Sequence, residues 1–122
     1  MPLILVVDDD VDTCRNMADL LGDVGYAVDS ATSGDCALKK AGKQSYDLSL
    51  LDLRMPGMDG LTLCRHLKLL YPRMANLIIT AYGPSGLVEQ ARKAGARHVF
   101  PKPIDFPKLL AVVVDAAPCR DN

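Results

Sequence analysis

Two short apolar runs in this chain end in carboxylate. Ile4-Leu5-Val6-Val7 leads straight into Asp8-Asp9-Asp10, and Leu48-Ser49-Leu50-Leu51 leads into Asp52. Both runs have the length and the apolar character of buried strands. In an open parallel sheet, ligands bind in the crevice outside the carboxyl ends of the strands. If the two strands are neighbours, Asp8, Asp9 and Asp52 converge there. Three such carboxylates repel one another and do not all stay ionised without a cation. Clustered oxygen ligands suit a hard divalent ion, Mg²⁺ first and Mn²⁺ as the alternative.

The rest of the chain alternates in a way that builds such a sheet. Leu3–Val7 is the first expected strand. A helix follows over about Val11 to Val24, with Cys14, Met17, Ala18, Leu21 and Val24 on its apolar face. Gly25 ends it. Tyr26–Ala31 alternates as a second strand, and Ser33 caps a helix over about Gly34 to Ala41. The third strand, Leu48–Leu51, precedes a loop, Met55-Pro56-Gly57-Met58-Asp59-Gly60. Asp59 caps a helix over about Gly60 to Leu70, with Leu61, Cys64 and Leu67 inward. Leu77–Thr80 is the fourth strand. Gly83-Pro84-Ser85-Gly86 leads into a short helix, about Leu87 to Ala94. Arg97–Phe100 is the fifth strand, and a last helix runs over about Pro107 to Ala116. The expectation is an α/β fold, a (βα)₅ doubly wound, five-stranded parallel sheet of flavodoxin-like type.

Size and composition leave room for little else. Residues 1–122 make one domain, with about 117–122 as a C-terminal tail or the start of a linker. A net charge of −1 gives no sign of nucleic-acid or anionic-membrane binding by the domain. No signal peptide and no apolar run approaching about 18 residues is present, so no membrane span is expected. Cys14, Cys36, Cys64 and Cys119 form neither a C-x-x-C pair nor a zinc-finger pattern. They are expected as free thiols in a reducing cytoplasm, with Cys14 and Cys64 in the core.

The fourth strand ends in Thr80-Ala81, and the fifth is followed by Lys102-Pro103. Four of five strands thus end in a group able to act on an anion or its counter-ion. In this arrangement the chain resembles the receiver domain of two-component response regulators. The matching stretches are Leu5-Val6-Val7-Asp8-Asp9, Asp52-Leu53-Arg54-Met55-Pro56-Gly57-Met58-Asp59-Gly60, Ile79-Thr80-Ala81 and Lys102-Pro103, in order along essentially the whole chain. The resemblance implies a role for each. Asp52 is the phosphoacceptor. Asp8 and Asp9 bind Mg²⁺, with Asp52 and the Arg54 backbone carbonyl as further ligands. Lys102 pairs with the acceptor or its phosphoryl group, Thr80 moves its hydroxyl onto that group, and the Lys102–Pro103 bond is cis.

It also implies a switch that assists its own phosphorylation and dephosphorylation without being a turnover enzyme. Its partners would be a sensor histidine kinase or histidine phosphotransfer protein, and an output domain or protein that the sequence does not identify. It would work as a monomer or a phosphorylation-dependent homodimer. Chemistry supports this independently: a carboxylate is a competent phosphoryl acceptor, and a metal with an ammonium neutralises the incoming charge.

Competing readings fit less well. Asp10 alone is better taken as a helix cap. An EF-hand starting at Asp8 would need glycine where Thr13 stands and glutamate where Asp19 stands. A haloacid-dehalogenase-type D-x-D-x-[TV] motif would need Thr or Val at Asp12. His66 and His98 have no ligand pattern. The rival from another class is a phosphorylation-independent scaffold with the same fold. Val99 favours it, because receivers carry Tyr or Phe three residues before the lysine. Strand alternation turns His98 and Phe100 to the opposite face from Val99. The bulky Arg54 and Tyr82 occupy positions that tune phosphoryl lifetime in the family.

Overall fold

The computed structural model describes residues 2–81 and 86–118. Five strands and five helices alternate: β1 (Leu3–Val7), α1 (Val11–Asp23), β2 (Ala27–Ala31), α2 (Gly34–Ala41), β3 (Leu48–Asp52), α3 (Gly60–Leu70), β4 (Ala75–Thr80), α4 (Leu87–Lys93), β5 (Ala96–Pro101) and α5 (Phe106–Ala116). All pairings are parallel, in the order β2-β1-β3-β4-β5. From β1 the chain turns to one side to lay down β2, then crosses to the other for β3. Its winding therefore reverses between β1 and β3, which is where doubly wound sheets bind ligands.

Helices start where the sequence supplies a cap. Asp10, Ser33, Asp59 and Asp105 each accept a backbone N–H of the first turn, opening α1, α2, α3 and α5. Gly25, at φ 100°, takes the left-handed conformation that turns the chain from α1 into β2.

The sheet separates two apolar layers. Leu5, Val7, Leu51 and Ile78 pack with α2, α3 and α4 on one face. Ile4, Val6, Leu50 and Leu77 pack with α1 and α5 on the other. Successive residues of the central strands thus serve opposite layers, so β1, β3 and β4 are apolar almost throughout. Cys14 and Cys64 are buried free thiols, as expected.

Some expectations shift. Val24 is 42% exposed, because α1 ends at Asp23 and the chain has left the helix at Val24. On α3 the inward set is Gly60, Leu63, Cys64 and Leu67, with Leu61 only partly buried. β4 begins two residues earlier than Leu77, where Ala75 and Asn76 pair with Leu48 and Ser49. Ala117 belongs to the folded body: it is buried, and its carbonyl accepts the Tyr26 hydroxyl at 2.8 Å. Residues 119–122 of the expected tail and residues 82–85 lie outside the described residues.

Candidate functional site

Register brings the polar strand ends together. Val7 pairs with Leu51, so Asp8 is level with Asp52 across the β1–β3 boundary. Asp52 pairs with Ile79, and Ile79 with Phe100, which puts Thr80 one step and Lys102 two steps beyond that row. By strand alternation Asp8 and Asp52 share the face of Val6 and Leu50.

Asp8, Asp9 and Asp52 each bring a carboxylate oxygen within 4.8 Å of the others. Asp8 and Asp52 are buried and Asp9 is exposed. Lys102 Nζ lies 3.0 Å from Asp52 Oδ1 and 3.7 Å from Asp8 Oδ2, with a third of its side chain exposed. One ammonium therefore bridges two buried acids, and Asp9 opens the cluster to solvent. Three carboxylates against one lysine leave a surplus of negative charge. The donor set is all oxygen and partly open, which fits Mg²⁺.

The protonation balance shows the strain. Burial raises the Asp8 pKa and the charge of Asp52 adds to that, against the Asp10 N–H and Lys102, which lower it. Burial also opposes the charge on Lys102. Its hydrogen bond to Asp52 and the charges of Asp52, Asp8 and Asp9 outweigh that, and its pKa rises.

Backbone bonds hold each group. Asp8 N–H donates to the Ala31 carbonyl at 3.1 Å, and Leu53 N–H to the Ile79 carbonyl at 2.9 Å. Lys102 N–H donates to the Thr80 carbonyl at 2.8 Å, which joins the lysine to the strand end bearing the buried Thr80. The Lys102–Pro103 bond is cis, as the resemblance implied. Asp10 does two jobs: its side chain caps α1, and its N–H donates to Asp8 Oδ1 at 2.9 Å.

Arg54 is exposed. With Asp9, Met55, Leu61, Leu87 and Gln90 it lines a shallow hollow of about 610 Å³ between the β3–α3 loop and α4. Val99 is half-buried against the α2–α3–α4 layer and Phe100 packs in the opposite one, as alternation required.

Two contributors were not singled out as such from sequence. Gly60 is needed for close approach, since a Cβ there would collide with the Asp52 carbonyl oxygen and lie 2.9 Å from Leu53 Cα. Its place after the capping Asp59 was the available signal. The Cys14 thiol donates to the Asp8 carbonyl at 3.3 Å, so a core residue also supports the acid site from below. Only its helical spacing marked Cys14, and that pointed to the core.

Residues 4–114 match the family described as Response regulator receiver domain. The chain is 42% identical over 113 residues to the transcriptional regulatory protein ZraR of Escherichia coli, covering 93% of this chain and 26% of that protein. It thus spans about a quarter of the ZraR relatives it matches. It is 31% identical to sporulation initiation phosphotransferase F of Bacillus subtilis over 98% of this chain and 96% of that one. Among solved structures it superposes on the response regulator TrrA of Thermotoga maritima, in complex with Mg(2+)-BeF, at TM-score 0.86 and 31% identity, covering 95% and 99% of the two chains. A two-component response regulator from Clostridium difficile gives TM-score 0.91 at 25% identity, covering 95% of each chain. With the acid cluster at the switch point and the lysine across it, these matches identify the chain as a member of the receiver-domain family of two-component response regulators, the phosphoacceptor switches of those systems.

Proposed function

We propose that Asp52 accepts the phosphoryl group. The carrying observation is that this carboxylate is buried at the switch point, 3.0 Å from Lys102 Nζ and within 4.8 Å of Asp8 and Asp9. Asp8, Asp9, Asp52 and the Arg54 carbonyl would hold Mg²⁺, with Mn²⁺ as the substitute. When bound, the ion neutralises charge on the phosphoryl oxygens and orients them. An oxygen of Asp52 forms the new bond to phosphorus as the bond to the donor's leaving group breaks. Lys102 keeps its ammonium beside Asp52 and offsets the charge that arrives. Thr80, on the adjacent strand end, supplies a hydroxyl that hydrogen-bonds a phosphoryl oxygen and pulls the start of the following loop with it.

The domain assists its own phosphorylation and dephosphorylation and has no further substrate. The donor is a sensor histidine kinase or a histidine phosphotransfer protein. The output is a partner or a domain outside these residues, reached as a monomer or a phosphorylation-dependent homodimer. The unpaired thiols Cys14, Cys36 and Cys64 fit a cytoplasmic setting. Among the described residues no helix is long and apolar enough to cross a membrane. The complete acid, hydroxyl and lysine set favours this reading over a phosphorylation-independent scaffold.

Incubation with acetyl phosphate and Mg²⁺, read by intact mass, tests it. One phosphoryl group should be added to the wild type and none to Asp52→Asn or in the presence of EDTA. Equal labelling of the Asn variant would refute the assignment.

A further inference from the structure

The net charge of −1 conceals a segregation of charge. α2, α3 and α4 lie on one face of the sheet, with their C-terminal ends away from the acid site. Lys39, Lys40 and Lys43 close α2. Arg65, Lys68 and Arg73 close α3 and the turn after it. Arg92, Lys93 and Arg97 close α4 and open β5. The stretches 38–45, 64–73 and 91–98 that carry them contain no Asp or Glu.

These ends are contiguous. A Cβ at Gly42, just past α2, would lie 4.0 Å from Tyr71 Oη, just past α3. A Cβ at Gly95, just past α4, would lie 2.6 Å from Lys68 Cγ. All nine cations except Lys40 are exposed; the Lys40 ammonium donates to the Ser30 carbonyl. Among the described residues, Arg92 with Glu89, 3.8 Å apart, is the only ion pair on this band.

Lysine and arginine at helix ends are ordinarily explained by the helix dipole. Each C-terminus is worth about half a negative charge, so three ends offset about one and a half of the nine. Dipole compensation leaves most of the band unexplained. It also leaves Leu69 and Leu70 unexplained, 82% and 59% exposed between Lys68 and Arg73. Leu69 is the most exposed large apolar side chain among the described residues.

We propose that this band is a docking surface for an anionic lipid bilayer, which the domain meets peripherally at the end of the fold opposite its acid site. Nucleic acid would match the cations but offers the two leucines no apolar counterpart. Protein partners are typically anchored by aromatic or arginine side chains in desolvated hollows, whereas Leu69 protrudes. A membrane interface supplies anionic headgroups and hydrocarbon along one boundary, and engages helix-end cations and protruding leucines together.

The test is co-sedimentation of the whole chain with phosphatidylglycerol vesicles and with phosphatidylcholine vesicles, at low and high salt, beside a fluorescent duplex DNA titration. Binding to phosphatidylglycerol alone, weakened by salt, is expected. The triple variant Lys68→Gln, Arg73→Gln, Lys93→Gln should lose roughly a hundred-fold in vesicle affinity. Leu69→Ser with Leu70→Ser should weaken binding while leaving its salt dependence in place. Both variants should retain wild-type melting temperatures and phosphorylate normally, since none of these residues belongs to the acid site. Equal binding to both lipids, no binding at low salt, or a triple variant that binds like wild type would overturn the proposal. So would binding to duplex DNA without binding to vesicles.

Discussion

Lys102 and Asp52 form the shortest ion pair among the described residues, at 3.0 Å, and the same ammonium lies 3.7 Å from Asp8. Replacing Lys102 by methionine keeps much of the side chain's bulk and removes the cation that pairs with both buried acids. The metal-free fold should lose about 1–2 kcal/mol, because two buried carboxylates lose their partner while the site's partial exposure softens the loss. Saturating Mg²⁺ should recover part of it. The Lys102 pKa is raised, so the wild-type advantage should be complete below pH 10.5 and fade as pH rises through the higher folded value. Urea unfolding of both proteins across pH, with and without Mg²⁺, measures this.

Asp9 adds a third negative charge to the cluster but lies outside ion-pair distance of Lys102. Asp9→Ala should weaken Mg²⁺ binding severely and raise the stability of the metal-free fold. The wild-type pH profile has a matching sign. The Asp8 pKa is raised, so stability from its protonated form is full below 3.8 and is lost as pH climbs through the raised value. Thermal melts in EDTA and in Mg²⁺ would contradict the account if the metal-free variant melted below metal-free wild type.

Gly60 and Gly22 are both helical glycines with opposite surroundings. A methyl group at Gly60 meets the Asp52 backbone, whereas at Gly22 nothing lies within 4 Å. Gly60→Ala should cost about 1–3 kcal/mol by overpacking and should also slow phosphorylation, because the shift falls on Asp52. Gly22→Ala, on the exposed side of α1, should stabilise by about 0.5–1 kcal/mol. Chemical denaturation of the pair gives both signs in one experiment.

Thr80 and Val99 should respond differently to phosphorylation. Val99 is half-buried, aliphatic and stiff at χ1. It has no ring to swing, so the response should pass through Thr80 and the segment between it and α4. Thr80→Ala should still be phosphorylated but lose the shift at α4. Methyl and amide NMR with a beryllofluoride phosphoryl mimic would show Val99 keeping its rotamer; a large Val99 change would place the switch elsewhere.

The acid site was legible in the sequence because its residues sit at strand ends, where an apolar run stops abruptly at a carboxylate, a hydroxyl or a lysine. The helix starts were legible because Asp10, Ser33 and Asp59 are capping residues in front of periodic segments. Asn76 and Ser49 show why the start of β4 was missed. A polar residue such as Asn76 looks like loop, yet it is fully buried, and Ser49 Oγ on neighbouring β3, also fully buried, donates to Asn76 Oδ1 at 2.6 Å. The pairing that satisfies them is non-local. On α3, Leu61, Cys64 and Leu67 are spaced by threes, which drifts off a 3.6-residue period; Gly60, Leu63, Cys64 and Leu67 keep to it. Pro101 has no backbone donor, yet β5 includes it, because β5 is an edge strand with one side unpaired. The basic band escaped notice because its three clusters are far apart in sequence and nearly cancel against the acids in the net charge.

The central claim is chemical and local: one particular carboxylate becomes an acyl phosphate. Treating the phosphorylated chain with borohydride reduces an aspartyl phosphate to homoserine, which peptide mass mapping locates. The account predicts conversion at Asp52 alone, dependent on Mg²⁺. Conversion at Asp8 or Asp9, or conversion at Asp52 unaffected by EDTA, would contradict it.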